Sequence, residues 1–284
     1  MKKTFMILSL LTFVGVFLAA HDFNVQEKEE IQKTLKFQDP SKPKEVLVDN
    51  VFGSIKVEGT GGQEVLLLAH KTIKARTGEK IQKAKEEVRL DISEEGNTVE
   101  LYVNGPFRCH NQWGDGINWR DPGYEVQFDF ELKVPHQTNL TLKTVNCGDI
   151  MVKNVEGEFE VKNVNGKIEM TEISGSGIAH TVNGKLKVVF TQNPKSDCSF
   201  KTINGELELF FPEAPSADFR LKTFNGEAFS DFPFSYLPRT KAVSEQRKEK
   251  FIYKSDGFSN IRIGKGGPEI KLDTLNGNIF LNKR

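Results

Sequence analysis

The amino-acid sequence predicts an all-β fold: a single-chain β-solenoid, similar to a β-helix, with coils of about 20 residues and Asn-Gly turns. Three observations lead to this prediction. A motif of the form Thr/Asn-apolar-Asn-Gly recurs through the second half of the chain. The residues flanking each motif alternate between apolar and polar side chains, as in a half-buried strand. The chain contains 22 Phe and 24 Gly, a composition that favours strands and turns over helices.

The motif recurs at a nearly constant interval. Its first residue lies at positions 144, 163, 181, 202 and 223, which are 19, 18, 21 and 21 residues apart, and a last copy begins at Thr274. Asn-Gly tolerates a positive φ, so each copy is expected to turn the chain tightly. The predicted turn residues are Asn165, Gly166, Asn183, Gly184, Asn204, Gly205, Asn225, Gly226, Asn276 and Gly277.

Asn-Gly between alternating strands is also the strongest short hairpin signal, so a meander of hairpins is the alternative. The constant spacing and near-identical flanks favour stacked coils, because equivalent residues would then form columns. We expect the final copy to close the stack. Stacking predicts an inward column of Thr144, Asn163, Thr181, Thr202, Thr223 and Thr274, and an outward column of Lys143, Lys162, His180, Lys201, Lys222 and Asp273.

The N-terminus has the layout of a secretory signal peptide. Met1-Lys2-Lys3 is basic, residues 4–18 are uncharged and mostly apolar, and Ala19-Ala20 precede a polar segment. The apolar run is shorter than the ~20 residues of a membrane span. We therefore expect residues 1–20 to be cleaved, leaving a periplasmic, surface-exposed or extracellular protein without a membrane span. An uncleaved N-terminal anchor is the alternative.

Charge and cysteine content exclude several classes of function. Lys plus Arg equals Asp plus Glu at 39 each, so the chain has no general attraction to nucleic acid. One pair among Cys109, Cys147 and Cys198 could form a disulfide after export, but their spacing does not match a metal site. GxSxG, HExxH and P-loop motifs are absent from the sequence. We expect no enzymatic activity, no metal and no cofactor.

The region before the repeats is less regular. Residues 21–45 are expected to be an extended lead-in with room for a short helix around Lys28 to Leu35. Residues 46–135 are predicted to be a β region with one helix near 78–89, where strong helix formers occur without a breaker. Residues 136–284 hold the repeats, interrupted by a charged excursion at 235–256.

Two features are candidate contacts for a ligand. The loop at 106–123 contains both tryptophans, Trp113 and Trp119, which could stack on sugar rings or anchor a protein. Alternatively, the rings pack over an open end of the coils. The basic residues Lys143, Lys162, Lys201 and Lys222 could attract an acidic polymer such as an anionic glycan. Alternatively, they form a solvated face neutralised by Glu158, Glu160 and Glu169.

The order of several segments resembles a bacterial family of exported β-strand-repeat proteins, described as "putative adhesin" or as a domain of unknown function. The matching segments are residues 46–71, 130–150, 226–234 and 264–281. The resemblance implies a solenoid-like fold, export, and a poorly defined binding or structural role. We expect an adhesin-like or scaffold role in the envelope, with a glycan or another envelope protein as partner. It carries over no catalytic residue.

Two other functions remain open at this point. One is an accessory protein of an envelope-stress signalling system. The other is a glycan-active β-helix enzyme, although the outward positions lack the clustered carboxylates that such an enzyme needs.

Overall fold

The computed structural model describes residues 23–39, 41–111, 114–117, 122–238, 243–247, 250–254 and 257–284. These residues form 25 strands and one helix, α1 (Gly78–Glu87). The strands are β1 (Val25–Lys36), β2 (Glu45–Asp49), β3 (Ile55–Thr60), β4 (Glu64–Ala75), β5 (Arg89–Glu95), β6 (Thr98–Asn104), β7 (Arg108–Asn111), β8 (Gly114–Ile117), β9 (Tyr124–Pro135), β10 (Asn139–Lys143), β11 (Ile150–Lys153), β12 (Phe159–Lys162), β13 (Ile168–Ile173), β14 (Gly177–His180), β15 (Leu186–Phe190), β16 (Cys198–Lys201), β17 (Leu207–Phe211), β18 (Ala217–Lys222), β19 (Ala228–Ser230), β20 (Phe234–Tyr236), β21 (Val243–Arg247), β22 (Lys250–Lys254), β23 (Ser259–Ile263), β24 (Glu269–Asp273) and β25 (Ile279–Lys283).

Most strands belong to two large sheets. The first sheet has the order β1-β4-β9-β3-β11-β13-β15-β17-β25-β19, and the second has the order β20-β23-β18-β24-β16-β14-β12-β10-β2-β6-β5. The pairs β7–β8 and β21–β22 are separate antiparallel ribbons. The prediction of an all-β fold with one helix is confirmed. No helix in the described part of the chain is long and apolar enough to cross a membrane.

In the repeat region, strands alternate between the two sheets. The two strands that flank an Asn-Gly motif, such as β12 and β13, lie in different sheets and do not pair with each other. Each pairs in parallel with the equivalent strand of the neighbouring repeat, as β12 does with β10 and β14. A meander of hairpins would give antiparallel pairs of consecutive strands, so the hairpin alternative is wrong here.

The core lies between the two sheets and follows the repeat. Parallel register aligns Ile150, Ile168, Leu186 and Leu207 on consecutive strands of the first sheet, and all four are fully buried. Aromatic rings also fill the interior, where Phe190 and Phe211 stack at 5.4 Å between centroids. Burial of each such apolar side chain contributes roughly 1.5–3 kcal/mol before entropic costs.

The expectation that the motif needs glycine for a positive φ is wrong. None of the glycines at 166, 184, 205 and 226 has a φ in the left-handed range, and Gly277 alone among the motif glycines has a positive φ, of 156°. The structure requires glycine because neighbouring repeats approach too closely for a side chain. A Cβ on Gly184 would lie 2.2 Å from the carbonyl oxygen of Gly166, and one on Gly205 would lie 2.1 Å from that of Gly184. We call this contact line the glycine seam; it comprises Gly148, Gly166, Gly184, Gly205, Gly277 and Gly226.

The last repeat does not close the stack, contrary to the prediction. Strand β24 lies between β16 and β18, and β25 lies between β17 and β19. Before this insertion the chain reverses direction, since β23 pairs antiparallel with both β18 and β20. A second reversal after β23 makes β24 run parallel to both of its neighbours, while β23 and β20 lie beyond β18 at the edge of the second sheet.

The opposite end differs from the predicted lead-in. No helix forms around 28–35; β1 pairs antiparallel with β4 along its whole length, at the edge of the first sheet. The predicted helix near 78–89 is present as α1. Its N-cap Thr77 accepts a hydrogen bond from the Lys80 N–H, while Ile81 and Ala84 are buried against the sheet. The charged edge strand and the helix therefore cover this end.

Replacing Gly184 with alanine should reduce the free energy of unfolding by about 3 kcal/mol or more, because the obstructing atoms belong to the backbone and cannot rotate away. Gly61→Ala is the matched control, since nothing lies within 4 Å of the added Cβ. Urea denaturation of both variants measures the difference. Equal midpoints for Gly184→Ala and Gly61→Ala would contradict the close approach at the seam.

Candidate binding face

Side chains beside the glycine seam hold neighbouring repeats in register. The Thr181 hydroxyl donates to the Gly166 carbonyl oxygen at 2.8 Å, and the Thr202 hydroxyl donates to that of Gly184 at 2.9 Å. Asn183 Nδ2 donates to the Asn165 side-chain oxygen at 2.7 Å, one step of a ladder of motif asparagines. The threonines are almost fully buried, as their inward prediction requires. These bonds fix equivalent residues at the spacing between adjacent strands, ~4.8 Å.

The register places four basic residues in a line on the outer face of the second sheet. Lys143 on β10 is opposite Lys162 on β12, which is opposite His180 on β14, which in turn is opposite Lys201 on β16. We call these four residues the basic column. Lys162 and Lys201 are exposed, and the other two are half-buried.

Acidic residues occupy the next position at both ends of the basic column. Asp49 on β2 is opposite Lys143, and Asp273 on β24 is opposite Lys201. Lys222 lies beyond Asp273, on β18. Insertion of the last repeat therefore separates Lys222 from the lysines with which the sequence grouped it.

A second group of cations surrounds one aromatic ring next to the column. The Phe258 ring centroid lies 4.9 Å from Lys271 Nζ, 4.6 Å from Arg220 Cζ and 5.3 Å from Lys222 Nζ. Each distance is within the range of a cation–π interaction. The ring helps to hold three positive charges close together on the same sheet as the column. Sequence reasoning missed Lys271, Arg220 and Phe258, although Lys271 and Arg220 each lie two residues before a predicted outward position.

Neutralisation by glutamates is only partial. Glu160 accepts a hydrogen bond from Lys162 Nζ at 2.5 Å, and this bond lowers the pKa of the Glu160 carboxyl. Glu169 lies on the first sheet instead, where it pairs with Lys187 at 3.2 Å. Its expected role in neutralising the basic residues is therefore wrong. Glu158 precedes β12, and its backbone N–H donates to the side chain of Asn139.

The outer face of the first sheet provides a contrast. There, acidic and basic residues alternate across the strands and pair with each other, as Lys56 does with Glu131 at 3.2 Å and Lys185 with Glu208 at 2.5 Å. Cross-strand pairs of opposite charge favour the sheet and leave little net field. The line of like charges is thus a property of the second sheet only.

His180 is the titratable member of the basic column. Its Nε2 lies 3.2 Å from the Ser199 hydroxyl oxygen. Burial, followed by the charges of Lys162, Lys201 and Lys271, lowers the pKa of the imidazole, while Glu160 acts in the opposite direction. Near neutral pH this residue therefore provides a hydrogen-bonding group rather than a charge.

The tryptophan loop cannot be placed on this face. Trp113 and Trp119 lie outside the described residues, and the structure describes the backbone of Cys109 in β7 but not its side chain. Cys147 is exposed and Cys198 is buried, and both are free thiols whose pKa is raised by burial. Among the side chains that the structure describes, no group of three His, Cys, Asp or Glu residues could hold a metal ion.

Two of three comparisons with known proteins find matches to the chain. The model of the Toastrack DUF4097 family matches residues 126–281, which is more than half of the chain. No curated protein sequence matches.

Solved structures of similar proteins cover most of the chain at low identity. A putative cell adhesion protein from Clostridium sporogenes ATCC 15579 is 13% identical, with 90% of this chain and 100% of that chain covered and a TM-score of 0.36. A putative adhesin from Bacteroides fragilis NCTC 9343 is 11% identical, with 90% and 97% covered and a TM-score of 0.39. A putative lipid binding protein from Parabacteroides distasonis ATCC 8503 is 12% identical, with 90% and 96% covered and a TM-score of 0.29.

Acidification should destabilise the protein through His180. Since its folded-state pKa lies below the ordinary value of 6.5, the unfolded chain takes up the proton first as pH falls through the window beneath 6.5. The free energy of unfolding therefore decreases in that window. Urea denaturation at about pH 7.5 and about pH 5.5 should show a smaller decrease for His180→Gln than for the unaltered protein. Equal decreases would show that His180 does not contribute to this pH dependence.

Proposed function

The chain belongs to the Toastrack DUF4097 family, and we propose that it is an exported, non-enzymatic binding protein of the bacterial envelope with an adhesin-like role. The basic column on the second sheet is its recognition surface, and the ligand is an anionic glycan. The observation that carries this proposal is the line of Lys143, Lys162, His180 and Lys201 on four adjacent strands, with no carboxylate within the line.

The strand arrangement supports a β-solenoid as the scaffold. One strand from each sheet makes one coil, and the Asn-Gly segment joins the two strands at the glycine seam. A solenoid gives a long, regular outer face on which one position recurs in every coil. Such a face suits an extended polymer better than a compact ligand.

The charge distribution supports an anionic partner. Single exposed ion pairs contribute little, but like charges aligned in one row produce a local positive potential that attracts and orients a polyanion. The net charge of the whole chain is zero, so this attraction is confined to one face. Electrostatic attraction of this kind gives binding that weakens as salt concentration rises.

The contact between His180 and Ser199 does not support a hydrolase. A serine nucleophile needs a base whose imidazole is oriented by a third group, usually a carboxylate. Within the described residues, the imidazole of His180 is hydrogen-bonded to Ser199 alone, and burial together with three lysines disfavours the imidazolium that such catalysis requires. The pair is better explained as a polar part of a binding face.

The double variant Lys162→Gln/Lys201→Gln should bind an acidic polysaccharide such as polygalacturonate about 2- to 30-fold more weakly, the value of two exposed ion pairs. Lys133→Gln/Lys153→Gln is the matched control. It removes two charges from exposed strand positions of the first sheet. Affinity is measured by calorimetry at low and high salt, and circular dichroism confirms that both variants remain folded.

Equal losses in the two double variants would contradict recognition by the second sheet. A Trp113→Ala/Trp119→Ala variant tests the other candidate contact, the loop at 106–123. If polysaccharide binding is lost in the tryptophan variant and kept in Lys162→Gln/Lys201→Gln, recognition belongs to the loop and the proposed role of the basic column is wrong.

A further inference from the structure

We infer, on the basis of the proposed function, that the basic column determines how many units of its ligand bind and how those units align with the strands. The ligand is a linear chain of uronic acids that crosses the strands at right angles. One carboxylate lies at each of the four strands β10, β12, β14 and β16.

The spacing of the basic residues supports this register. Adjacent strands are ~4.8 Å apart, so the column presents one basic group per ~4.8 Å along the axis of the stack. A chain of uronic acids carries one carboxylate per sugar ring and has an extended repeat of the same order. The seam fixes the spacing, because Thr181 and Thr202 tie each repeat to the one before it. The three lysines and the hydrogen-bonding His180 are thus arranged in advance, which reduces the entropy lost on binding.

The column has defined ends. Asp273 follows Lys201 and would repel a further carboxylate. At the other end, Asp49 follows Lys143 and is already paired with Arg108 Nη2 at 2.8 Å. Neither end position offers a cation, so four anionic groups match the column and a fifth gains nothing.

An aliphatic ridge runs beside the basic column. In each of the four repeats of the basic column, the residue two positions after the basic residue is apolar and half-buried, and backbone hydrogen bonds join the segments that carry these residues. The equivalent residues beyond the column, Leu275 and Phe224, are exposed. Asn183 N–H, for example, donates to the carbonyl oxygen of Val164 at 2.8 Å. The ridge consists of Val145, Val164, Val182 and Ile203.

A sugar ring has an apolar face of C–H groups as well as its charged group, and it can pack on the ridge while its carboxylate pairs with a lysine. A polyanion without such a face, for example polyphosphate, would use the column alone. Glu160, on the other side of the column, disfavours a carboxylate there and keeps the ligand between the basic residues and the ridge.

The experiment measures the affinity of oligogalacturonates from dimer to octamer by calorimetry at low salt. For the unaltered protein, affinity should rise with each uronate, roughly two- to fivefold where the uronate pairs with a lysine, and level off at the tetramer. Values are corrected for the number of overlapping positions that a longer oligomer offers.

Asp273→Lys supplies the sharpest test, because it would join Lys201 to Lys222 in one uninterrupted row of cations. Affinity for this variant should go on rising to the hexamer. Asp273→Asn is the control; it removes the repelling charge without adding a cation, so its affinity should still level off at the tetramer.

The outcomes separate the register from the proposed function. If the unaltered protein binds polygalacturonate but affinity shows no plateau, or if Asp273→Lys leaves the plateau at the tetramer, the register is wrong and glycan binding stands. If a folded protein binds neither polymer nor oligomers, the proposed function fails as well. Equal affinity for polyphosphate of the same charge would overturn the assignment of a sugar chain.

Discussion

Direct contact between backbones at the glycine seam is the constraint on which the other features depend. Two repeats can lie at strand spacing along this line only if neither carries a side chain there, as the 2.2 Å approach of a Cβ on Gly184 demonstrates. The carbonyl oxygens brought together at the seam must then find donors, since a buried unpaired polar group costs about 1–3 kcal/mol. Threonine hydroxyls supply those donors, as Thr202 does for Gly184. Glycine and threonine in the motif thus have one common physical origin.

The same constraint explains why the two outer faces differ. Parallel register makes every outward position recur on neighbouring strands, so a residue type that repeats in the sequence becomes a line on the surface. On the first sheet, acids and bases alternate along such lines and satisfy each other, as Lys187 and Glu169 do. On the second sheet, the lysines repeat in phase and their charges add. A regular scaffold aligns residues that recur in the sequence, so a small bias in composition becomes a row of like charges on the surface.

The sequence was sufficient to predict the class of the fold and the inward threonine column, except for Thr223, which is only half-buried. Alternation and spacing are local signals. The sequence also placed the helix correctly from residue types at 78–89. It failed where distant segments decide the structure. The reason for glycine at 184 lies in the neighbouring repeat, 18 residues away. The location of Glu169 depends on which sheet its strand joins. The pairing of β1 with β4 also rests on tertiary contacts, which override a charged segment's local preference.

For the same reason, only part of the candidate site could be predicted from the sequence. The motif phase revealed Lys143, Lys162 and Lys201, whereas the cation group around Phe258 required the reversal of the chain between β20 and β23. Phe258 precedes β23 and meets lysines that are 36 and 13 residues away in the sequence. No local pattern encodes such a contact.

Insertion of the C-terminal repeat has a consequence for assembly. Strands β24 and β25 follow all the other described strands in the sequence, yet they occupy an interior position in both sheets. The preceding repeat, β18 with β19, therefore cannot complete its native pairing until the C-terminus arrives. Contacts between segments far apart in sequence form slowly, because a long loop must close first. The stack cannot grow simply from one end to the other, and a chain that lost its last 16 residues would lack an inner layer instead of an end.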